Sequence, residues 1–101
     1  MSTFQVKPSA ALNTHREAIR RMVEAHRARN PRVFGSVLDG TDTEASDLDL
    51  LIDPAPGMTL FDIGGIIEDL QDVLGVKVDV LTPECLPAQW RARVLAEAMP
   101  V

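Results

Sequence analysis

Nineteen residues, GSVLDGTDTEASDLDLLID from Gly35 to Asp53, constrain the fold more than any other stretch of the chain. The run from Leu48 to Ile52 is short and aliphatic and is stopped by Asp53-Pro54, so it reads as a buried strand. Side chains alternate along a strand, which places Asp47 and Asp49 on one face, roughly 6 to 7 Å apart along the chain. Two carboxylates brought to ~4 Å repel by about 4 kcal/mol at an effective dielectric near 20. A fold that holds them together is therefore expected to hold a cation. Oxygen-only ligands favour Mg²⁺ or Mn²⁺ over zinc. Taken alone, an Asp-x-Asp pair more often marks the solvated beginning of a strand.

The preceding Gly35-Ser36 shifts that balance. Val33-Phe34 reads as a short strand that delivers the pair into a turn, with a brief helix beginning near Ser36. Free backbone N–H groups at a helix start bind phosphate, and glycine permits the chain to come close. A phosphate cradle, a ten-residue spacer and an acid pair together describe a nucleotide site.

This pattern resembles the minimal nucleotidyltransferases of the DNA-polymerase-beta-like superfamily. The resemblance covers nearly the whole chain: a leading helix, Arg32-Val33-Phe34-Gly35-Ser36, the stretch Ser46 to Asp53, a middle helix, and Val78-Asp79-Val80-Leu81-Thr82. It implies an α/β fold with a small, mixed, twisted sheet and helices packed on one face. It also implies that Gly35 and Ser36 contact the phosphates of a nucleoside triphosphate, with ATP the family's choice, and that Asp47, Asp49 and Asp79 bind the metal. Asp79 would also orient or deprotonate the acceptor hydroxyl. Relatives of this kind act as antitoxins beside a HEPN-domain ribonuclease toxin, some by transferring AMP to a tyrosine hydroxyl. Two other readings stand beside that one: an inactive antitoxin that neutralises its partner by binding, and a small-molecule nucleotidyltransferase of the antibiotic-modifying kind. Many members carry basic residues between the Gly-Ser pair and the next glycine, where this chain has Val37-Leu38-Asp39-Gly40. The acid at position 39 predicts weakened triphosphate binding, with Arg32 and the basic first helix as the nearest sources of screening.

Charge is distributed unevenly. Residues 1–32 carry +5, residues 33–84 carry −11 and residues 85–101 carry +1, which gives the formal net charge of −5. The acidic middle argues against direct nucleic-acid binding there and suits a site completed by divalent cations. Asp42, Glu44, Asp69 and Asp72 read as solvated. A length of 101 residues with 46% hydrophobic content fits one domain. Neither a span of ~20 apolar residues nor a signal peptide is expected, and the single Cys85 forms no internal disulfide, so a cytoplasmic protein without membrane attachment is expected.

Residues 1–10 lack periodicity and read as a loose arm before a single domain over residues 11–101. A helix is predicted over residues 11–29, ended by Asn30-Pro31. His15 and His26 have no second ligand at metal spacing and read as structural or solvated. Residues 32–34 form the first strand, and Asp53 reads as a strand terminator. A second helix over residues 60–74 has Thr59 as N-cap, Gly75 as C-terminal stop and a buried stripe of Leu60, Ile63, Ile67, Leu70 and Leu74. Gly64 lies at the edge of that stripe, where a close neighbour fits; Gly65 faces away. The third strand, residues 76–81, centres an acid, Asp79, which requires either an arginine partner or a shared cation. A last helix starts near Pro87 and ends before Pro100. Its Trp90 suits core, a lid over the sheet edge, or an interface anchor. So small a chain has no room for the domains that hold base and acceptor in larger nucleotidyltransferases. A partner protein or a second copy, in a hetero- or homo-oligomer, is expected to complete the site.

Overall fold

The computed structural model describes residues 6–101; residues 1–5 of the expected arm lie outside the described residues. The helices are α1 (Pro8–Thr14), α2 (Arg16–Ala25), the single turn α3 (Ser36–Asp39), α4 (Leu60–Leu74) and α5 (Ala88–Glu97). The strands are β1 (Ala28–Phe34), β2 (Leu48–Pro54), β3 (Val78–Leu81) and β4 (Met99–Pro100). A 3-10 turn, Pro83–Cys85, follows β3. The strands form one mixed sheet in the order β3-β2-β1-β4, with β2 parallel to β3 and antiparallel to β1.

Register sorts the side chains. Val33, Leu50 and Val80 lie in one row across the sheet, and Phe34, Asp49 and Asp79 in the next. Because side chains alternate, the first row faces one side and the second the other. The apolar side joins Leu48, Leu50 and Ile52 to Leu12, Ile19, Val23, Ile66 and Leu70, so α1, α2 and α4 build the core against it. The acidic side is left open apart from the 3-10 turn and α5. Arg91 fastens α5 there by donating to the Pro83 and Leu86 carbonyls at 2.9 and 3.0 Å.

The predicted first helix is two. The break falls at His15, where the backbone leaves helical values at φ −122° and ψ 27°; its N–H and its ring Nδ1 both donate to the Ala11 carbonyl at 3.1 Å. Pro8 starts α1 and is buried, so residues 8–10 belong to a helix rather than an arm. α2 stops at Ala25, four residues before the predicted end. Arg27 turns the chain at φ 61°, and Ala28 already pairs with Pro54. Asn30, at φ 57°, sits in a bulge between Arg29 and Arg32 and donates to the Asp53 carboxylate at 2.9 Å. Sheet pairing with β2 thus overrides the helical preference of Arg27 to Arg29.

α4 spans the predicted residues. Its Thr59 N–H donates to Asp62 at 2.9 Å, one half of a capping box, and Gly75 closes it at φ 69°. The buried stripe is centred on Ile66, Leu70 and Leu74, with Ile63 and Ile67 packed beside it. Leu60 is instead 83% exposed, and Phe61 beside it 91%, because the first turn lies beyond the core contacts. Gly65, not Gly64, meets a close neighbour: a Cβ there would lie 2.6 Å from the His26 ring, whereas nothing stands near Gly64. β3 begins at Val78, two residues later than predicted. β4 is a pairing that local pattern did not reveal; Met99 and Pro100 pair with Val33 and Arg32, and Val101 N–H donates to Pro31. Among the described residues no helix is long and apolar enough to cross a membrane.

Candidate active site

The acidic side of the sheet begins at the ends of two strands that run in opposite directions. β1 ends at Phe34 and β2 starts at Leu48, with Phe34 opposite Asp49, so the Gly35 turn and the acid pair arrive at the same edge. β3 runs parallel to β2 and places Asp79 directly beside Asp49. Asp47, just before β2, shares the parity of Asp49 and is exposed. The three acids separated by up to 32 positions in the chain are thereby brought to one face.

Asp49 is the inner member. It is half-buried, and its carboxyl is raised from the ordinary 3.8 to about 6, first by desolvation and then by the neighbouring charges of Asp79 and Asp47. No hydrogen bond or ion pair to protein occupies any of the three carboxylates among the described residues. Asp79 therefore has no arginine partner; it is exposed. The three do not converge as a closed cage, since no group of three metal-ligating side chains is preassembled among the described residues. They form an open row of oxygen donors. This donor set fits a hard divalent cation, whose charge would offset all the repulsions that raise Asp49.

Gly35 is required here for two reasons. It turns the chain at φ 75° as the N-cap of α3, and its backbone lies against Asp49 so closely that a Cβ would collide with Asp49 Oδ2 and stand 3.2 Å from its Cγ. The turn thus presses the start of α3 onto the acid row. Ser36 is the first residue of α3, partly exposed, and its hydroxyl makes no protein hydrogen bond among the described residues.

Other acids have structural duties that the sequence did not show. Asp42, expected to be solvated, is buried; it accepts a hydrogen bond from Ser9 N–H at 2.9 Å, which holds its carboxyl below the usual range. Asp69, also expected to be solvated, binds His26 Nε2 at 2.7 Å. Asp53, expected to terminate the strand, lies within β2, because Arg29 and Ala28 extend the pairing through Asp53 to Pro54, and it pairs with Arg32 at 2.6 Å. Arg32 is thereby committed to Asp53 rather than to screening Asp39. Asp39 closes α3 and lines a cavity of 260 Å³ whose other wall is Val94 and Trp90 of α5, the tryptophan whose sequence setting suits core, a lid or an interface anchor. The 90, 93, 94, 97 spacing of its lining residues was the available signal.

Residues 12–100 match the sequence profile of the Nucleotidyltransferase domain family. The chain belongs to that family. This nucleotidyltransferase is 34% identical over 76 residues to "Putative protein adenylyltransferase MJ0435" of Methanocaldococcus jannaschii, covering 75% of the chain and 82% of that relative. It is 31% identical over 71 residues to "Putative protein adenylyltransferase MJ0126" of the same organism, covering 70% of the chain and 69% of the relative. Its structure superposes with a TM-score of 0.83 and 40% identity on a protein described as a "putative minimal nucleotidyltransferase", over 92% of this chain and 95% of the other. A component of a toxin-antitoxin crystallised with AMP-PNP shares the fold at a TM-score of 0.69 and 17% identity, over 83% and 69% of the two chains. The nucleotidyltransferase thus has the minimal, polymerase-beta-like architecture that the family resemblance implied.

Proposed function

We propose that this nucleotidyltransferase transfers AMP from ATP to a hydroxyl group of a protein, a tyrosine of a HEPN-domain ribonuclease toxin, and so acts as an antitoxin. The observation that carries the transfer is the row Asp47, Asp49 and Asp79 pressed against the Gly35 turn. Relatives named as protein adenylyltransferases support a protein acceptor. The HEPN partner rests on the family resemblance, and the toxin-antitoxin that shares the fold supports a second protein at the site.

In the reaction the acceptor oxygen forms a bond to the α-phosphorus as the bond to the β-phosphate oxygen breaks, and pyrophosphate leaves. Mg²⁺ or Mn²⁺ held by Asp47, Asp49 and Asp79 would supply positive charge to the triphosphate and acidify the attacking hydroxyl. The Gly35 turn admits the phosphates to the row, and the Ser36 hydroxyl donates to a phosphate oxygen. Asp79, exposed at the outer end of the row, orients the acceptor and receives its proton. Asp39 supports a second reading, in which the protein neutralises its partner by binding alone, because many relatives carry basic residues where this chain has Val37-Leu38-Asp39.

Incubation with ATP labelled at the α-phosphate, Mg²⁺ and the product of an adjacent gene tests these readings. Label on the partner protein supports transfer, and Asp49→Ala should abolish it. A tight complex without label supports binding alone. Label on a small acceptor supports the antibiotic-modifying type and overturns the protein substrate.

A further inference from the structure

We infer that the cavity between α3 and α5 is the nucleobase subsite, and that it selects a purine bearing an exocyclic amine. The inference rests on the nucleotide reading given above and deepens it. Gly35 lines the cavity and also touches Asp49, so the recess is continuous with the Gly-Ser turn where the phosphates would sit. A triphosphate held at that turn has this recess beside it for its nucleoside.

The chemistry of the walls matches a base. Phe34, Leu38 and Val94 make an apolar floor, and the indole of Trp90 stands 57% exposed along one side. α5 buries none of its residues fully, so this aromatic face is open to a planar ligand. Bases of any sequence stack on aromatic side chains because each presents a π-face. The rim is charged. Asp39 and Glu97 offer carboxylate acceptors, and Arg93, 3.3 Å from Glu97, offers a donor. An amino-bearing purine supplies N–H groups to those acids and ring acceptors to the arginine. Uracil has no exocyclic amine and would turn carbonyl oxygens toward carboxylates.

Size separates the base from other occupants. At 260 Å³ the cavity is smaller than the ~300 to 1,000 Å³ typical of drug-sized ligands, which suits one ring system rather than a docked peptide segment. A tyrosyl ring of the acceptor is the closest rival, but its single O–H serves at most one of the two carboxylates.

Trp90 is the sole tryptophan, so fluorescence of the full chain reports this cavity alone. With Mg²⁺ present, ATP should quench that emission, and inorganic tripolyphosphate at saturation should leave it unchanged. Trp90→Ala should weaken ATP binding about 5- to 100-fold, the loss expected for one stacked base, and leave tripolyphosphate binding as it was. Val94→Phe, which fills the recess without removing the indole, should do the same, and the wild type should prefer ATP to UTP. Unchanged ATP affinity in both variants, with no response of Trp90 to ATP, overturns the base subsite while the phosphate site stands. Quenching by N-acetyltyrosinamide but not by ATP assigns the cavity to the acceptor and also overturns it. If neither ATP nor tripolyphosphate binds the wild type, the nucleotide reading falls first and takes this one with it.

Discussion

Asp49→Asn should make the metal-free protein more stable at neutral pH, although it removes a central member of the acid row. The carboxyl of Asp49 rises from 3.8 to about 6 on folding because it is desolvated and faces Asp79 and Asp47. A carboxyl whose pKa is higher folded than unfolded binds protons more tightly in the native state. Its stabilising contribution is therefore fully present below about pH 4 and is lost as pH rises through about 6. The full difference corresponds to roughly 3 kcal/mol at 1.36 kcal/mol per pKa unit. Asp49 is only half-buried, so solvent screening reduces the figure to about 1 to 2 kcal/mol. Asparagine keeps the shape and cannot ionise. In EDTA at pH 7.5 the variant should melt higher than wild type by about 4 to 15 °C, given ~4 to 8 °C per kcal/mol for a domain of this size. Near pH 4 the two should coincide. Mg²⁺ at ~100 times its Kd should raise the wild type by about 2.7 kcal/mol and the variant by much less, reversing their order. The assay is a set of thermal melts across pH 4 to 8 with and without Mg²⁺. A variant less stable than wild type at pH 7.5 in EDTA, or a difference independent of pH, would refute the reasoning.

The remaining predictions concern the turn and the back of the sheet. Ser36→Ala should weaken tripolyphosphate–Mg²⁺ binding by about ten- to a hundredfold, the loss of a charge-assisted hydrogen bond of ~1.5 to 3 kcal/mol; calorimetry decides it, and an unchanged Kd makes Ser36 a turn residue only. Gly64→Ala should stabilise α4 by up to about 1 kcal/mol through helix propensity. Gly65→Ala should fall ~1 to 2 kcal/mol below it, because the new methyl displaces the His26 ring from Asp69. Denaturant melts of both variants, with the His26 ring followed by NMR, test this pair, and equal stability would remove the close contact from the account.

Much of the candidate site's placement was legible because its logic is local. Parity along β2 placed Asp47 and Asp49 on one face, and the Gly35-Ser36 turn announced itself by residue type. The helix over residues 60–74 carried its own cap at Thr59 and stop at Gly75. Where local signals competed with long-range pairing, reading failed. Residues 27–29 look helical in isolation, yet Ala28 pairs with Pro54 and the chain is already a strand. Asp42 and Asp69 look like surface acids, and nothing near them in sequence announces Ser9 or His26. The identity of the crowded glycine in α4 was misread by one position, because a ring from another helix decides it.

From the sequence alone came the acids, the glycine that lets the chain approach them, and the strand parity that turns Asp47 and Asp49 to one side. These follow from residue chemistry and from the two-residue repeat of an extended chain. Tertiary structure alone decided that Asp79 stands beside Asp49, since that depends on the register of two parallel strands joined through α4. It alone raised Asp49 to about 6, because desolvation and repulsion need neighbours in space. It also laid α5 over the open face, so that Trp90 and Asp39, 51 positions apart, share one cavity. Local periodicity carries no distance between elements; only packing supplies it, and the recess beside the Gly35 turn exists only once that packing is made.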